Sequence, residues 1–156
     1  DMQLYYQDAP KYLYKISKTF SIEVPFECRM KPGKIAANEY VELEVIDSET
    51  ILLTFKAGYG YDANSGGLRT KSWIFPSLVH DGLYNLMRDG VLDRSLRKNA
   101  DKAMLHFLRL SMARGGYFSR VFGNARAKMS YLAVRQLGAK HVLPRKVKVK
   151  SIKIYQ

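Results

Sequence analysis

Cysteine occurs once, at Cys28, so the chain forms no internal disulfide. That suits a reducing compartment, and it leaves stability to packing. Cys28 also has no base near it in sequence, which makes it a weak nucleophile. Long apolar runs are missing as well. Charges interrupt every hydrophobic stretch, so no membrane-spanning helix is expected. No secretion signal is visible, and a chain that starts at Asp1 is expected to have been processed, tagged and cut, or trimmed. Several signatures of chemistry are absent too. Gly60 is followed by Tyr61-Asp62-Ala63, which breaks a G-x-G-x-x-G pattern, and there is no phosphate-loop G-K-[ST]. His106 and His141 show no zinc-ligand spacing. Ser65 and Ser77 do not sit in a G-x-S-x-G elbow.

Acid is scarce in one region. Residues 99–156 hold 13 Lys/Arg against a single acid, Asp101, whereas residues 1–98 balance 13 with 13. The whole excess behind the net charge of +12 therefore lies in the last third. Such a field favours a polyanion: nucleic acid, anionic lipid or an acidic protein surface. A solvated basic surface that keeps the protein soluble accounts for it equally well.

The 156 residues, 47% of them hydrophobic, suffice for one folded domain with one core. Residues 1–56 read mostly as strands. Residues 1–11 are expected as an extended arm. Tyr12–Ile16 and Thr19–Val24 read as strands around a turn at Ser17-Lys18, and Met30–Ala37 reads as a turn around Pro32-Gly33. Tyr40–Ile46 alternates strictly, with Val41, Leu43 and Val45 on one face. Thr50–Phe55 reads as a more deeply buried strand. Residues 57–72 form a glycine-rich loop with four glycines over Gly58–Gly67, which is expected to hold no regular structure.

Residues 73–138 read as three helices: Phe75–Met87 with Pro76 in the opening turn, Asn99–Arg114 capped by Asn99, and Tyr117–Leu137. The third is expected to bury Val121, Phe122, Ala125, Met129, Leu132 and Ala133, and to expose Arg120, Arg126, Lys128 and Arg135. Residues 139–156 contain RKVKVKSIKIY, Arg145–Tyr155, expected as an edge strand with lysines outward. The fold class is thus α+β: a small N-terminal antiparallel sheet, a three-helix layer and a basic C-terminal edge strand. Trp73 and Tyr117 are expected in the core.

The chemical candidates cluster on SLVHDGLYNLM, Ser77–Met87. Positions i and i+4 share a helix face, so His80 and Tyr84 point the same way. A neutral histidine takes a proton from water, and a carboxylate on its other nitrogen fixes the tautomer. Asp81 is turned about 100° away on the helix. Asp101 serves instead, if the second helix packs antiparallel and begins beside the first. Asp81 is then free to hold a divalent cation, with oxygens of the glycine-rich loop, Asp62, Asn64 and Ser65 among them, completing the shell. Each residue also has a structural reading: His80 as a core histidine, Asp101 as a first-turn acid, Asp62 as the closure of an Asx turn.

The run AGYGYDANSGG…FPSLVHDGLYNLM…NADKAMLHFL resembles a family of small phage and prophage proteins catalogued only as a domain of unknown function. Asp62, Ser65, His80, Asp81, Tyr84 and Asp101 fall on that family's motif positions, and Ala133–Gly138 resembles its late arginine-glycine segment. Asn64 departs from the pattern, which has a small residue there. The resemblance covers about Lys56–Gly138. It implies a virion or host-cytoplasm setting, with other virion proteins among the partners. A more distant similarity links His-Asp-x-x-Tyr plus a second-helix Asp to calcium-dependent secreted phospholipases. It implies His80 as base, Asp101 as its partner, Tyr84 as support, Asp81 as a calcium ligand, and Gly58 and Gly60 in the calcium loop. The lack of disulfides sets this chain apart from most of those enzymes. Two functions are expected: a metal-assisted hydrolase acting on an ester of the host envelope, or a virion structural or accessory protein in which the polar cluster only pins the fold. A nucleic-acid binder, argued from charge alone, is a third.

Overall fold

The computed structural model describes residues 6–7, 14–61, 71–114 and 117–143. The chain is α+β, with antiparallel sheets first and three helices after them. Among the described residues seven strands make two sheets. β1 (Tyr6–Gln7), β2 (Tyr14–Ile16) and β7 (Gly60–Tyr61) form the smaller. β3 (Phe20–Pro25), β6 (Thr50–Phe55), β5 (Val41–Val45) and β4 (Ile35–Ala37) form the larger, in the order β3-β6-β5-β4.

The two strands read around Ser17-Lys18 are both present but belong to different sheets. β4 lies where a turn alone was expected, and β1 lies within the expected arm. Gly60-Tyr61 extends the smaller sheet by pairing with Tyr14 and Lys15, so the glycine-rich stretch does begin in regular structure. Thr50–Phe55 is not buried throughout. Ile51, Leu53 and Phe55 point inward while Thr50, Leu52 and Thr54 are half-buried, because the outer face of this sheet meets solvent.

The inner face of the larger sheet carries Val24, Val41, Leu43, Val45, Ile51, Leu53 and Phe55, each almost wholly buried. Each such side chain contributes about 1.5–3 kcal/mol relative to exposure. Against it lies α1 (Lys71–Arg88), hydrophobic on most of its circumference and buried on both sides. One side meets Val41 and Phe55 of the sheet across Gly82. On another, Trp73 joins Met104, Leu108 and Met112 of α2 (Arg97–Ala113) and Ala127 and Val134 of α3 (Tyr117–Leu137). Trp73 is core, as expected; the side chain of Tyr117 lies outside the described residues.

α1 starts four residues before the expected Phe75, so Pro76 falls in its second turn, where it removes a helical hydrogen bond. Asp89-Gly90 ends the helix as expected: Gly90 has φ +76, and Val91 N–H returns to the Leu86 carbonyl at 3.0 Å. A 3₁₀ turn at Arg94–Leu96, capped by Asp93, leads into α2. Asn99 is therefore inside α2 rather than its cap, and its amide donates to the Glu27 carbonyl instead. α3 has the expected bounds, but of its expected buried face Ala125, Met129 and Leu132 are exposed and Ala133 half-buried, and the side chains of Val121 and Phe122 lie outside the described residues. Gly123, Ala127 and Val134 face inward, while Met129 is 71% and Leu132 49% exposed. A second 3₁₀ turn, Gly138–Val142, closes the described chain. The basic tail strand at residues 144–156 lies outside the described residues.

Gly82 sets the spacing of α1 over the sheet, since a Cβ there would stand 2.5 Å from Phe55 Cε1. Gly82→Ala is expected to lower stability by about 1–3 kcal/mol through overpacking. Urea unfolding should show the loss at an unchanged slope.

Candidate active site

Asp101 organises the site. Its place in the first turns of α2, one helix over from His80, follows from the antiparallel packing of α1 and α2. It is completely buried, and three side chains donate to it. His80 Nε2 lies 3.0 Å from Oδ1, Tyr84 Oη donates to the same oxygen at 2.6 Å, and Arg135 Nη1 donates to Oδ2 at 2.9 Å. A buried carboxylate is tolerated only when its lone pairs are occupied in this way. The three donors come from two other helices, so the carboxylate ties α1, α2 and α3 together.

His80 and Tyr84 are one turn apart on α1, and their ring centroids are 3.9 Å apart. His80 is 3% exposed. Its second nitrogen, Nδ1, has no hydrogen-bond partner among the described residues and stands 3.5 Å from Asp81 Oδ1. The cluster reaches solvent on two sides, at Asp81, whose side chain is 24% exposed, and at Arg135, 29%.

Helical spacing brings further polar atoms to the same stripe of α1. Ser77 precedes His80 by three residues and Asp81 by four, and Trp73 lies one turn before Ser77. Ser77 Oγ and Trp73 Nε1 are buried and have no hydrogen-bond partner among the described residues. Beyond Tyr84, Gly138 packs so closely that a Cβ there would fall 2.6 Å from the Tyr84 hydroxyl. Arg97 donates through Nη1 and Nη2 to the Arg135 carbonyl at 3.1 and 3.2 Å, fixing the end of α3 that delivers the Arg135 guanidinium.

The electrostatics follow from these contacts. Burial pushes the Asp101 carboxyl up, but the hydrogen bonds from His80, Tyr84 and Arg135 outweigh it and hold the group below its ordinary 3.8. Burial pushes the His80 imidazole down, but the hydrogen bond to Asp101 and the nearness and charge of the Asp81 carboxylate, with the charge of Asp101, outweigh it and raise the group above its ordinary 6.5. Burial, then the Asp101 hydrogen bond and charge, raise the Tyr84 hydroxyl far above its usual value.

Of the residues singled out from sequence, the structure brings His80, Tyr84, Asp81 and Asp101 together. Gly58 and Gly60 are placed otherwise engaged. Gly58 N–H donates to the Ile16 carbonyl in a tight turn with φ +95, and Gly60 pairs with Lys15 in the β2–β7 ladder. Tyr59, between them, accepts a hydrogen bond from Asn85 at 2.7 Å, one turn along α1 from Asp81. Asp62, Asn64 and Ser65 lie outside the described residues. Among the described residues no group of three or more His, Cys, Asp or Glu side chains is arranged to hold a metal ion. Sequence reasoning missed Arg135, assigning it to the exposed face of α3, and it missed Ser77 as a polar neighbour of the histidine. No family model, curated protein or solved structure matches the chain.

The two opposite shifts make stability depend on pH with a definite sign. The Asp101 contribution is present above about pH 3.8 and is lost as pH falls through its lowered pKa. The His80 contribution is present below about pH 6.5 and is lost as pH rises through its raised pKa. The melting temperature of the protein should therefore decline between neutral and mildly alkaline pH, and His80→Gln should flatten that decline. Asp101→Asn should cost about 3–5 kcal/mol at pH 6, because it strands buried donors.

Proposed function

We propose that the protein is a hydrolase of esters that uses His80 Nδ1 as its general base. The observation that carries this reading is the asymmetry of the imidazole. Nε2 is held by a buried carboxylate, and Nδ1, on the side that leads to Asp81, has no hydrogen-bond partner among the described residues. That division of labour is what water activation requires: one nitrogen oriented, the other able to receive a proton. Nδ1 takes a proton from water as the oxygen attacks the ester carbonyl carbon. The tetrahedral intermediate collapses, and the departing alkoxide takes the proton back from the imidazolium. Asp101 stabilises that cation throughout. Tyr84 and Arg135 hold the carboxylate, and the Ser77 hydroxyl is a donor within the same stripe.

The calcium expectation is supported by Asp81 alone among the described side chains. One carboxylate falls short of the six to eight oxygens that calcium takes. The other expected oxygens, those of Asp62, Asn64 and Ser65, lie outside the described residues, and the proposed step is written for His80 itself. A phage setting and an ester of the host envelope remain the substrate context suggested by the motif resemblance. The basic last third would place such an enzyme against a polyanionic surface. A second reading has an observation of its own. Asp101 is 0% and His80 3% exposed, as expected of a cluster that only pins three helices in a virion structural or accessory protein.

Hydrolysis of short-chain nitrophenyl esters and of anionic phospholipid vesicles, with and without calcium, separates these readings. His80→Gln should lower the rate by about 10²–10⁴-fold in protein that still folds, a loss larger than its fall in melting temperature accounts for. The rate should climb with pH through the raised His80 pKa, above 6.5, because the base works only when neutral. Calcium that raises the melting temperature of the unaltered chain, but not of Asp81→Asn, would add a metal to the site. No hydrolysis by the unaltered chain would leave the pinning role standing.

A further inference from the structure

The outward face of α3 carries the large apolar side chains that its inward face lacks. On a wheel of about 100° per residue, Gly123, Ala127 and Val134 mark the packed side. Ala125, Met129, Leu132 and Gln136 lie opposite, within an arc of about 60°. Met129 is 71% exposed, Leu132 49%, and Leu137, nearer the edge of the face, 65%. Apolar side chains gathered on one free face and rimmed by charge mark an interaction surface, whereas scattered ones do not. Here the rim is cationic. Lys128 and Arg126 flank the arc, about 70–90° to either side of its centre. Both are exposed, and neither has an ion pair among the described residues. No acid occurs anywhere in α3. The one acid after residue 98, Asp101, is buried and already paired with Arg135.

We infer that this face docks on an anionic lipid bilayer, with α3 lying parallel to the membrane plane. A bilayer surface has charged headgroups above acyl chains. It matches a helix whose apolar strip is bordered on both sides by cations, and α3 presents that pattern. The stems of Lys128 and Arg126 are long enough to carry their charges up to lipid phosphates while Met129 and Leu132 sink toward the acyl chains. No described helix is long and apolar enough to cross a membrane, so the contact is along the surface. A second copy of the chain matches the face less well. Pairing α3 with α3 about a two-fold axis brings Arg126 and Lys128 of one copy toward those of the other, with no acid on either helix to offset them. A nucleic acid matches it less well again, because its phosphates would meet the apolar strip that separates the two cations. The docking face uses no side chain that touches His80, Tyr84 or Asp101, so the inference goes beyond the esterase reading and stands without it.

Sedimentation of the full chain with vesicles tests it. The protein should pellet with vesicles of phosphatidylglycerol and phosphatidylcholine and not with phosphatidylcholine alone, and added salt should weaken the binding. Met129→Ser with Leu132→Ser should weaken it at least about tenfold. Arg126→Gln with Lys128→Gln should weaken it about fivefold for each charge removed. Neither pair should lower the melting temperature, because all four side chains face solvent. In Met129→Trp, the added emission should move to the blue on binding and be quenched by spin-labelled acyl chains, which a contact with headgroups alone would not produce. Binding is read without turnover, so a protein that binds vesicles and hydrolyses nothing keeps this inference and loses the esterase. Absence of vesicle binding would overturn the inference, and a solution dimer dissolved by the serine pair would then give the face to a second copy. Binding that both pairs leave intact, and that Lys146→Gln with Lys148→Gln and Lys150→Gln abolishes, would overturn it in favour of the C-terminal lysines.

Discussion

A carboxylate with no access to water dictates much of this molecule. Taking the Asp101 charge out of solvent costs several kcal/mol, and that cost is offset only if every donor arrives in place. Two donors come from α1 and one from α3, so the helices cannot slide or rotate independently without stranding the charge. Apolar packing between the same helices is less particular. Leu, Met and Ala contacts tolerate small shifts, whereas a hydrogen bond of 2.6 Å does not. The cluster specifies the arrangement that the hydrophobic layer stabilises.

The third helix shows how the constraint reaches outward. Arg135 must extend from α3 across to the start of α2, and Arg97 anchors the Arg135 carbonyl from the other direction. The two arginines thereby run antiparallel courses between the same pair of helices. Gly138 permits this, for any larger residue would strike Tyr84. Small residues do the same higher on the helix. A Cβ on Gly123 would stand 3.0 Å from Met112 Cβ, and Ala127 is wholly buried. α3 is held close to α2 by what its residues lack.

That is also why part of the site could be read from the sequence and part could not. His80 and Tyr84 share a face by simple periodicity, and Asp101 is the lone acid of the last third, so its pairing with a histidine stood out. The alternation of Val41, Leu43 and Val45 gave the inner face of β5 directly. Arg135 was hidden because the hydrophobic pattern of α3 points to Ala125, Met129 and Leu132. The contact actually runs along Gly123, Ala127 and Val134, where small side chains carry little hydrophobic signal. The i, i+4 spacing of Gly123 and Ala127, followed by Val134, was the available clue, and it places Arg135 beside the buried face. Ser77 was passed over because a serine in an apolar run reads as neutral, and only burial reveals its hydroxyl as unpaired. The start of α2 was misplaced by two residues because Asn99 has the chemistry of a cap. Its amide is instead spent on the Glu27 carbonyl; Asp93 caps the 3₁₀ turn that precedes α2, and α2 itself starts from Leu96 without a side-chain cap.

The imidazole is where pinning and chemistry part company. A structural pin needs one bond from His80, and Nε2 makes it. A pin gains nothing from leaving Nδ1 buried without a hydrogen-bond partner, since an unsatisfied buried nitrogen costs about 1–3 kcal/mol. Asp81 at 3.5 Å is too far for a good hydrogen bond yet near enough to favour the imidazolium by its charge. The arrangement therefore stores a preference for a proton at Nδ1 with little to satisfy that nitrogen when neutral. A water or substrate hydroxyl is what such a nitrogen accepts from, and Ser77 Oγ, also unpaired, lies one turn away on the same stripe. Three unsatisfied atoms on one stripe of a mostly buried helix, with Trp73 Nε1 the third, are more simply explained by a small polar occupant than by three separate defects.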